Sequence, residues 1–278
     1  MRIGIRAHDM EKAPLDELIR NIHNKGFHCT QLALSKAVYE FKVDNGMMTP
    51  GFAMYIKELC TEYKVDICVL GCYLNLCTPD KEQLKKNIEK YKAHIRFASI
   101  LGCAVVGTET GAVNTEYKYE EANHSEEALA LFIQNVRPVV EYAEKMGVIF
   151  AIEPVYKHIV WNVERARKVL DAINSPNLQI IFDPVNLLSV DNLDTQDDII
   201  RDAFEILGDD IAVIHCKDYK VENGELVSIP AGTGSFNYPL LMKYIKERKP
   251  YVHISLENTK PENAIATREF MEKMYAEA

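Results

Sequence analysis

The chain has 278 residues, 47% of them hydrophobic, which is enough for one large buried core and close to the roughly 250 residues of an α/β barrel. Its 41 acidic and 32 basic side chains leave a net charge of −9, which argues against broad nucleic-acid binding, although a local basic pocket can still hold one phosphate. No apolar run approaches the roughly 20 residues that span a bilayer, and the seven cysteines are odd in number and scattered, so a reducing cytoplasm without a membrane partner is expected.

The N-terminus goes straight into a strand at Ile3–Ala7 rather than a signal peptide. Pro14–Lys25 reads as a helix stopped by Gly26, and Cys29–Leu34 as the second strand. A looser stretch through Gly46 and Pro50 leads to a helix over Phe52–Tyr63. The third strand, Asp66–Leu70, runs on into Tyr73-Leu74-Asn75-Leu76. Thr78-Pro79-Asp80 opens a long helix to Leu101, with proline at the first helical position and Gly102 as its stop. Ala104–Thr108 is strand four and ends in Glu109. The polar segment Asn114–His124 is a loop, and a helix follows from Ser125 to Met146.

Four further strands close the pattern. Val148–Ile152, Leu178–Phe182 and Ile211–Ile214 are short, apolar and rich in β-branched residues, as strands buried on both faces should be; Tyr251–Leu256 is the last. Helices are expected near Asn162–Ile173, Thr195–Leu207, Tyr238–Glu247 and Pro261–Tyr275. Eight strand-helix pairs without a linker or a second composition regime predict the α/β class, a single (β/α)8 TIM barrel forming one domain over residues 1–278. Val221–Val227 reads as an Asn-Gly hairpin inserted after strand seven.

The last four strands end in Glu153, Asp183, His215 and Glu257. Thirty residues separate the first pair, 32 the second and 42 the third, and about 30 is one strand-helix unit. The four residues therefore fall at equivalent C-terminal strand ends and converge on one mouth. Three carboxylates and an imidazole form a divalent-metal ligand set that favours manganese, with magnesium or cobalt as alternatives, over structural zinc. Strand alternation directs these side chains and Lys217 inward, and Cys216 outward into the helix layer. Taken singly, each acid reads as a helix cap or a surface carboxylate.

Other groups have weaker signals. His8, Asn75 and Glu109 fall at strand ends and are candidates for substrate hydroxyls, or plain satisfied polar groups. Lys217 reaches a substrate oxygen or phosphate, or pairs inward with Asp183 or Glu257. Tyr156 and Trp161 wall the pocket or pack outside it. Gly232-Thr233-Gly234-Ser235 closes over the far end of the substrate, its amides facing a phosphate or hydroxyl, or is a plain hairpin return. Cys68, Cys72 and Cys77 match no common zinc spacing and are expected to be buried or half-buried free thiols.

The ordered set Ile152-Glu153-Pro154, Phe182-Asp183-Pro184-Val185-Asn186, Ile214-His215-Cys216-Lys217-Asp218, Pro230-Ala231-Gly232-Thr233-Gly234 and Leu256-Glu257-Asn258 resembles the xylose isomerase-like TIM barrels, in particular the sugar (phosphate) isomerase/epimerase group. The resemblance covers nearly the whole chain. It implies that Glu153, Asp183, His215 and Glu257 hold the metal and that Glu153 and Glu257 also transfer protons. It implies a small sugar as substrate, with Asn186, Lys217, Glu109 and His8 as substrate-binding candidates. Ketohexose 3-epimerases place a histidine where Asn186 stands and a glutamate where Ile159 stands, so a free ketohexose is not implied. The further ligands of the three-zinc endonuclease IV group are missing. Two rival readings remain, an inosose-type dehydratase on the same barrel and a non-catalytic sugar-binding subunit. A homo-oligomer is left open.

Overall fold

The computed structural model describes residues 1–278. The strands in chain order are β1 (Arg2–Arg6), β2 (Cys29–Leu32), β3 (Asp66–Gly71), β4 (Val105–Glu109), β5 (Ile149–Glu153), β6 (Leu178–Phe182), β7 (Ile211–Cys216), β8 (Asp218–Glu222), β9 (Glu225–Ile229) and β10 (His253–Leu256). Eight of them are parallel and close a barrel in which β10 pairs with both β7 and β1. The remaining two, β8 and β9, are an antiparallel hairpin. Its turn residues Asn223 and Gly224 have φ of 54° and 79°, and two positive values are what a type I′ turn requires.

Around the barrel run α1 (Leu15–Asn24), α2 (Leu34–Ala37), α3 (Pro50–Tyr63), α4 (Lys81–Leu101), α5 (Glu126–Met146), α6 (Val163–Ile173), α7 (Gln196–Ile206), α8 (Tyr238–Arg248) and α9 (Ala264–Glu277), and the longer ones pack on their neighbours in sequence. The arrangement is the (β/α)8 barrel expected, with small shifts at element ends. Pro79 lies ahead of α4 rather than at its first position, because Asp80 is the cap and accepts from the amides of Glu82 and Gln83. Strand β2 stops at Leu32, and Leu34 already belongs to the one-turn helix α2. No helix is long and apolar enough to cross a membrane.

The core has two layers, and they record which way each strand residue points. Ile152, Phe182, Ile214 and Cys216 belong to the large cluster between barrel and helices. Ala151, Ile181 and Val213, one residue earlier or later, join Cys29, Cys68, Val69 and Val105 in a small cluster inside the barrel. With period two, Glu153, Asp183 and His215 must then also face inward, one step nearer the C-terminal mouth. The inner layer is tight. A Cβ on Gly107 would lie 2.6 Å from both Ile181 and Val69, so β4 needs glycine there. Cys68, Cys72 and Cys77 are buried free thiols.

Candidate active site

At the C-terminal mouth the four strand ends meet. One ligand atom from each of Glu153, Asp183, His215 and Glu257 lies within 4.8 Å of the others, and all four residues are buried. Donors on opposite sides of one ion with bonds of about 2.1 Å would lie roughly 4.2 Å apart, so the spacing suits a single ion. His215 Nδ1 stands 3.1 Å from Glu153 Oε1 and 3.2 Å from Glu257 Oε1. It is therefore the nitrogen that would face an ion, with the ring proton left on Nε2. That Nε2 and Asp183 Oδ2 are buried without a hydrogen-bond partner. Buried polar atoms are nearly always satisfied, and a carboxylate oxygen left without a donor among three other ligand-type side chains fits a cation site. The other Asp183 oxygen is used: Oδ1 accepts from the amides of Val185 and Asn186 at 2.9 and 3.2 Å.

Charge balance points the same way. Lys217 Nζ lies 3.0 Å from Glu257 Oε2 and 2.8 Å from Asp183 Oδ2, the second contact lacking hydrogen-bond alignment. Arg6 Nη1 lies 3.4 Å from Glu257 Oε1. Three buried carboxylates thus face two fixed cations, one positive charge short. With no ion between them the imidazole makes up the difference: burial pushes His215 down, but Glu153 and Glu257 raise it to about 9. Burial raises Asp183 to about 6 despite Lys217. Burial also works on Glu257, but Lys217, His215 and Arg6 outweigh it and hold that carboxyl well below the usual range. A divalent ion would displace the imidazole proton and take over its balancing role.

Glu153 and Glu257 of the cluster line a cavity of about 390 Å³, within the range of small-molecule sites. His8, Glu109, Asn186 and Lys217 all line it, as the sequence predicts. Asn186 donates through Nδ2 to Glu153 Oε1 at 2.8 Å, and Tyr156 N donates to its backbone carbonyl. Glu109, beside Glu153 in the β4–β5 register, accepts from the Tyr117 hydroxyl at 3.2 Å. Burial raises the Glu109 carboxyl and lowers His8 to about 4, the latter helped by Arg6 and Lys36. Lys217 makes the inward pairing, with both acids at once, while lining the cavity. Position 159, a glutamate in ketohexose 3-epimerases, is fully buried isoleucine in the core.

Three of the open alternatives resolve toward packing. Asn75 does not face the cavity. Its amide donates to the carbonyls of Ala112 and Asn114 and its oxygen accepts from Cys77 and Ala112, tying two loops together. Trp161 and Tyr156 lie outside the cavity and pack with His124, which stacks on Trp161 at 4.9 Å. The glycine loop after β9 does not offer its amides to a ligand. Asp218, 1% exposed, takes them: its carboxylate accepts from Gly232, Gly234, Phe236 and Tyr219 at 2.8–3.1 Å. A Cβ on Gly232 would meet the Phe270 ring at 2.6 Å, and one on Gly234 the Tyr219 carbonyl at 2.1 Å. These glycines are demanded by packing.

Arg6, Gln31, Lys36, Tyr73 and Tyr117 also line the cavity and carry no motif in the sequence. Two had a usable signal. Ile3 and Ile5 face the helix layer, so Gly4 and Arg6 must face the axis; Leu32 faces out, so Gln31 faces in. Lys36 and Tyr117 had none. Lys36 arrives from the short helix α2, and Tyr117 from a loop residue with φ 58°, a left-handed backbone uncommon outside glycine.

No curated protein matches the chain. Among solved structures it is similar over its whole length to a D-tagatose 3-epimerase-like protein (20% identity, TM-score 0.78, covering 99% of this chain and 97% of that one). It is also similar to the IOLI protein with a bound zinc atom (16%, 0.76, 100% and 99%) and to a probable 3-DHS dehydratase, AsbF, from Bacillus anthracis (15%, 0.75, 99% and 99%). At such identities these likenesses speak for the fold alone. The sequence itself goes further: residues 19–274 match the model of the xylose isomerase-like TIM barrels, and the chain belongs to that family.

Proposed function

We propose that this protein is a divalent-metal-dependent isomerase or epimerase of a small sugar, ketose or sugar phosphate, working by proton abstraction α to a carbonyl. The observation that carries the reading is the pair Glu153 and Glu257, whose carboxylates meet at one buried cluster and line a sugar-sized cavity. We assign Glu153, Asp183, His215 and Glu257 as ligands of one ion, manganese, magnesium or cobalt, since oxygen donors dominate. Bound there, the ion would polarise a substrate carbonyl, a Lewis-acid contribution of several kcal/mol.

The two glutamates are not equivalent. Both oxygens of Glu257 face cations, Lys217 at Oε2 and Arg6 at Oε1, so it is a weak base. Glu153 has one oxygen, Oε1, fixed by Asn186 and His215. Its Oε2 has no protein partner and is not sealed from the cavity. Glu153 Oε2 therefore takes the proton from the substrate carbon, with Asn186 holding the carboxylate in aim. Glu257 faces the reacting carbons from β10, from a different side of the barrel; in an epimerisation it relays a proton from solvent to the opposite face, and the proton on Glu153 Oε2 leaves to solvent to restore the base. If Glu153 reaches both carbons, the outcome is ketose–aldose isomerisation.

In either case a carbon-bound hydrogen exchanges with solvent. The test is turnover in deuterated water with manganese, watched by NMR across ketoses, ketose phosphates and inososes. Product deuterated at a former C–H position is expected. Product free of deuterium over many turnovers would remove the two-glutamate scheme. Deuterated product that has also lost water would make the protein a dehydratase that shares the first step.

A further inference from the structure

The catalytic cavity is electrically lopsided, and the cause lies outside the metal cluster. On its β1–β2 side stand Arg6, at the end of β1, and Lys36, in α2. Arg6 is oriented from behind: Asp9 accepts from Nε and Nη2 at 2.8 and 3.1 Å. This bidentate grip leaves Nη1, whose nearest carboxylate oxygen, on Glu257, is 3.4 Å away. Lys36 makes no ion pair, and its ammonium rests 5.6 Å from the centroid of the Tyr73 ring. Between them His8 lines the same wall, with a buried Nδ1 that has no partner. Asp9 is spent on Arg6 and does not line the cavity, and the acid that does so beside Arg6, Glu257, is shared with Lys217. The opposite wall, from β4, carries Glu109 and Tyr117. An exposed lysine is usually just solvated. This one opens onto a cavity beside a preorganised guanidinium, in a chain whose net charge of −9 otherwise repels anions.

We infer that the substrate carries an anionic group, a phosphate or a carboxylate, seated between Arg6 and Lys36, with its hydroxyls directed toward Glu109 and Tyr117. A neutral polyol gives the unpaired Lys36 ammonium nothing to neutralise, whereas a phosphate or carboxylate matches it and can share the Arg6 Nη1 edge with Glu257. The inference deepens the isomerase reading and rests on it for the identity of the rest of the substrate.

The test compares ribitol, ribitol 5-phosphate and ribonate, binding to the manganese-loaded protein by calorimetry. Charge-assisted hydrogen bonds contribute about 1.5–3 kcal/mol, so at least one anion should bind about tenfold or more tighter than ribitol. Lys36→Gln, a change at an exposed side chain, should erase most of that preference. A preference for ribitol 5-phosphate assigns a phosphate, and one for ribonate assigns a carboxylate. Equal binding of all three, no anion binding at millimolar concentration, or a preference untouched by Lys36→Gln would each overturn the inference. Binding needs no turnover. A failed deuterium exchange would remove the isomerase reading and leave the anion seat, and a failed anion preference would leave an isomerase of a neutral sugar.

Discussion

Glu153→Gln should lower turnover by about 10²–10⁴-fold, the usual contribution of a positioned acid–base group. The glutamine keeps the shape and still lets Oε1 accept from Asn186, but it puts an amide where the free Oε2 would take the proton. Glu257→Gln should lose a similar amount by a different route, because it removes a charge from the ion site and leaves Lys217 with Asp183 alone. Metal content of each variant separates the two causes: Glu153→Gln reloaded with metal should stay slow, whereas excess metal should partly rescue Glu257→Gln. Asn186→Ala, which only loosens the aim of Glu153, should cost less than either. A Glu153→Gln variant with full metal and near-normal turnover would remove Glu153 as the base.

Lys217→Met should destabilise the metal-free protein by about 3–5 kcal/mol, the cost of leaving buried charges without their partner. Lys217 is 5% exposed and sits between two acids that are themselves buried. Methionine preserves most of the volume, so the loss is electrostatic rather than a cavity. Acid should relieve the loss, since protonating Asp183 or Glu257 removes the uncompensated charge. Manganese should relieve it too, because a bound ion restores the missing positive charge; saturation at 100 times Kd stabilises by roughly 2.7 kcal/mol even without that extra. Chemical denaturation with and without manganese reads both effects. Equal stability of the variant and the parent, in the absence of metal, would mean that Lys217 is not balancing the cluster.

The cluster of Glu153, Asp183, His215 and Glu257 was legible in the sequence because strands buried on both faces advertise themselves. An apolar β-branched run that stops at a carboxylate or an imidazole marks both the strand end and, through period-two alternation, the direction of the last side chain. Three such runs about 30 residues apart leave little freedom in topology. The cationic wall was less legible. Arg6 follows from the parity of Ile3 and Ile5, but β1 continues into a turn over Ala7–Asp9, which draws the eye to His8 as the strand end. Lys36 and Tyr117 reach the cavity from a one-turn helix and an irregular loop, where no periodicity projects a direction. The part played by Asp218 was not legible for the same reason. Its partners are backbone amides at 232, 234 and 236, a contact between segments that only the folded β8–β9 excursion brings together.

The account stands on Glu153, Asp183, His215 and Glu257 forming one divalent-ion site. Elemental analysis after incubation with manganese and desalting, on the parent protein and on an Asp183→Asn, His215→Ala double variant checked for folding by circular dichroism, tests this directly. About one manganese per chain in the parent and little in the folded variant is the expected result. A parent chain that retains no ion, or a variant that retains as much as the parent, would contradict it.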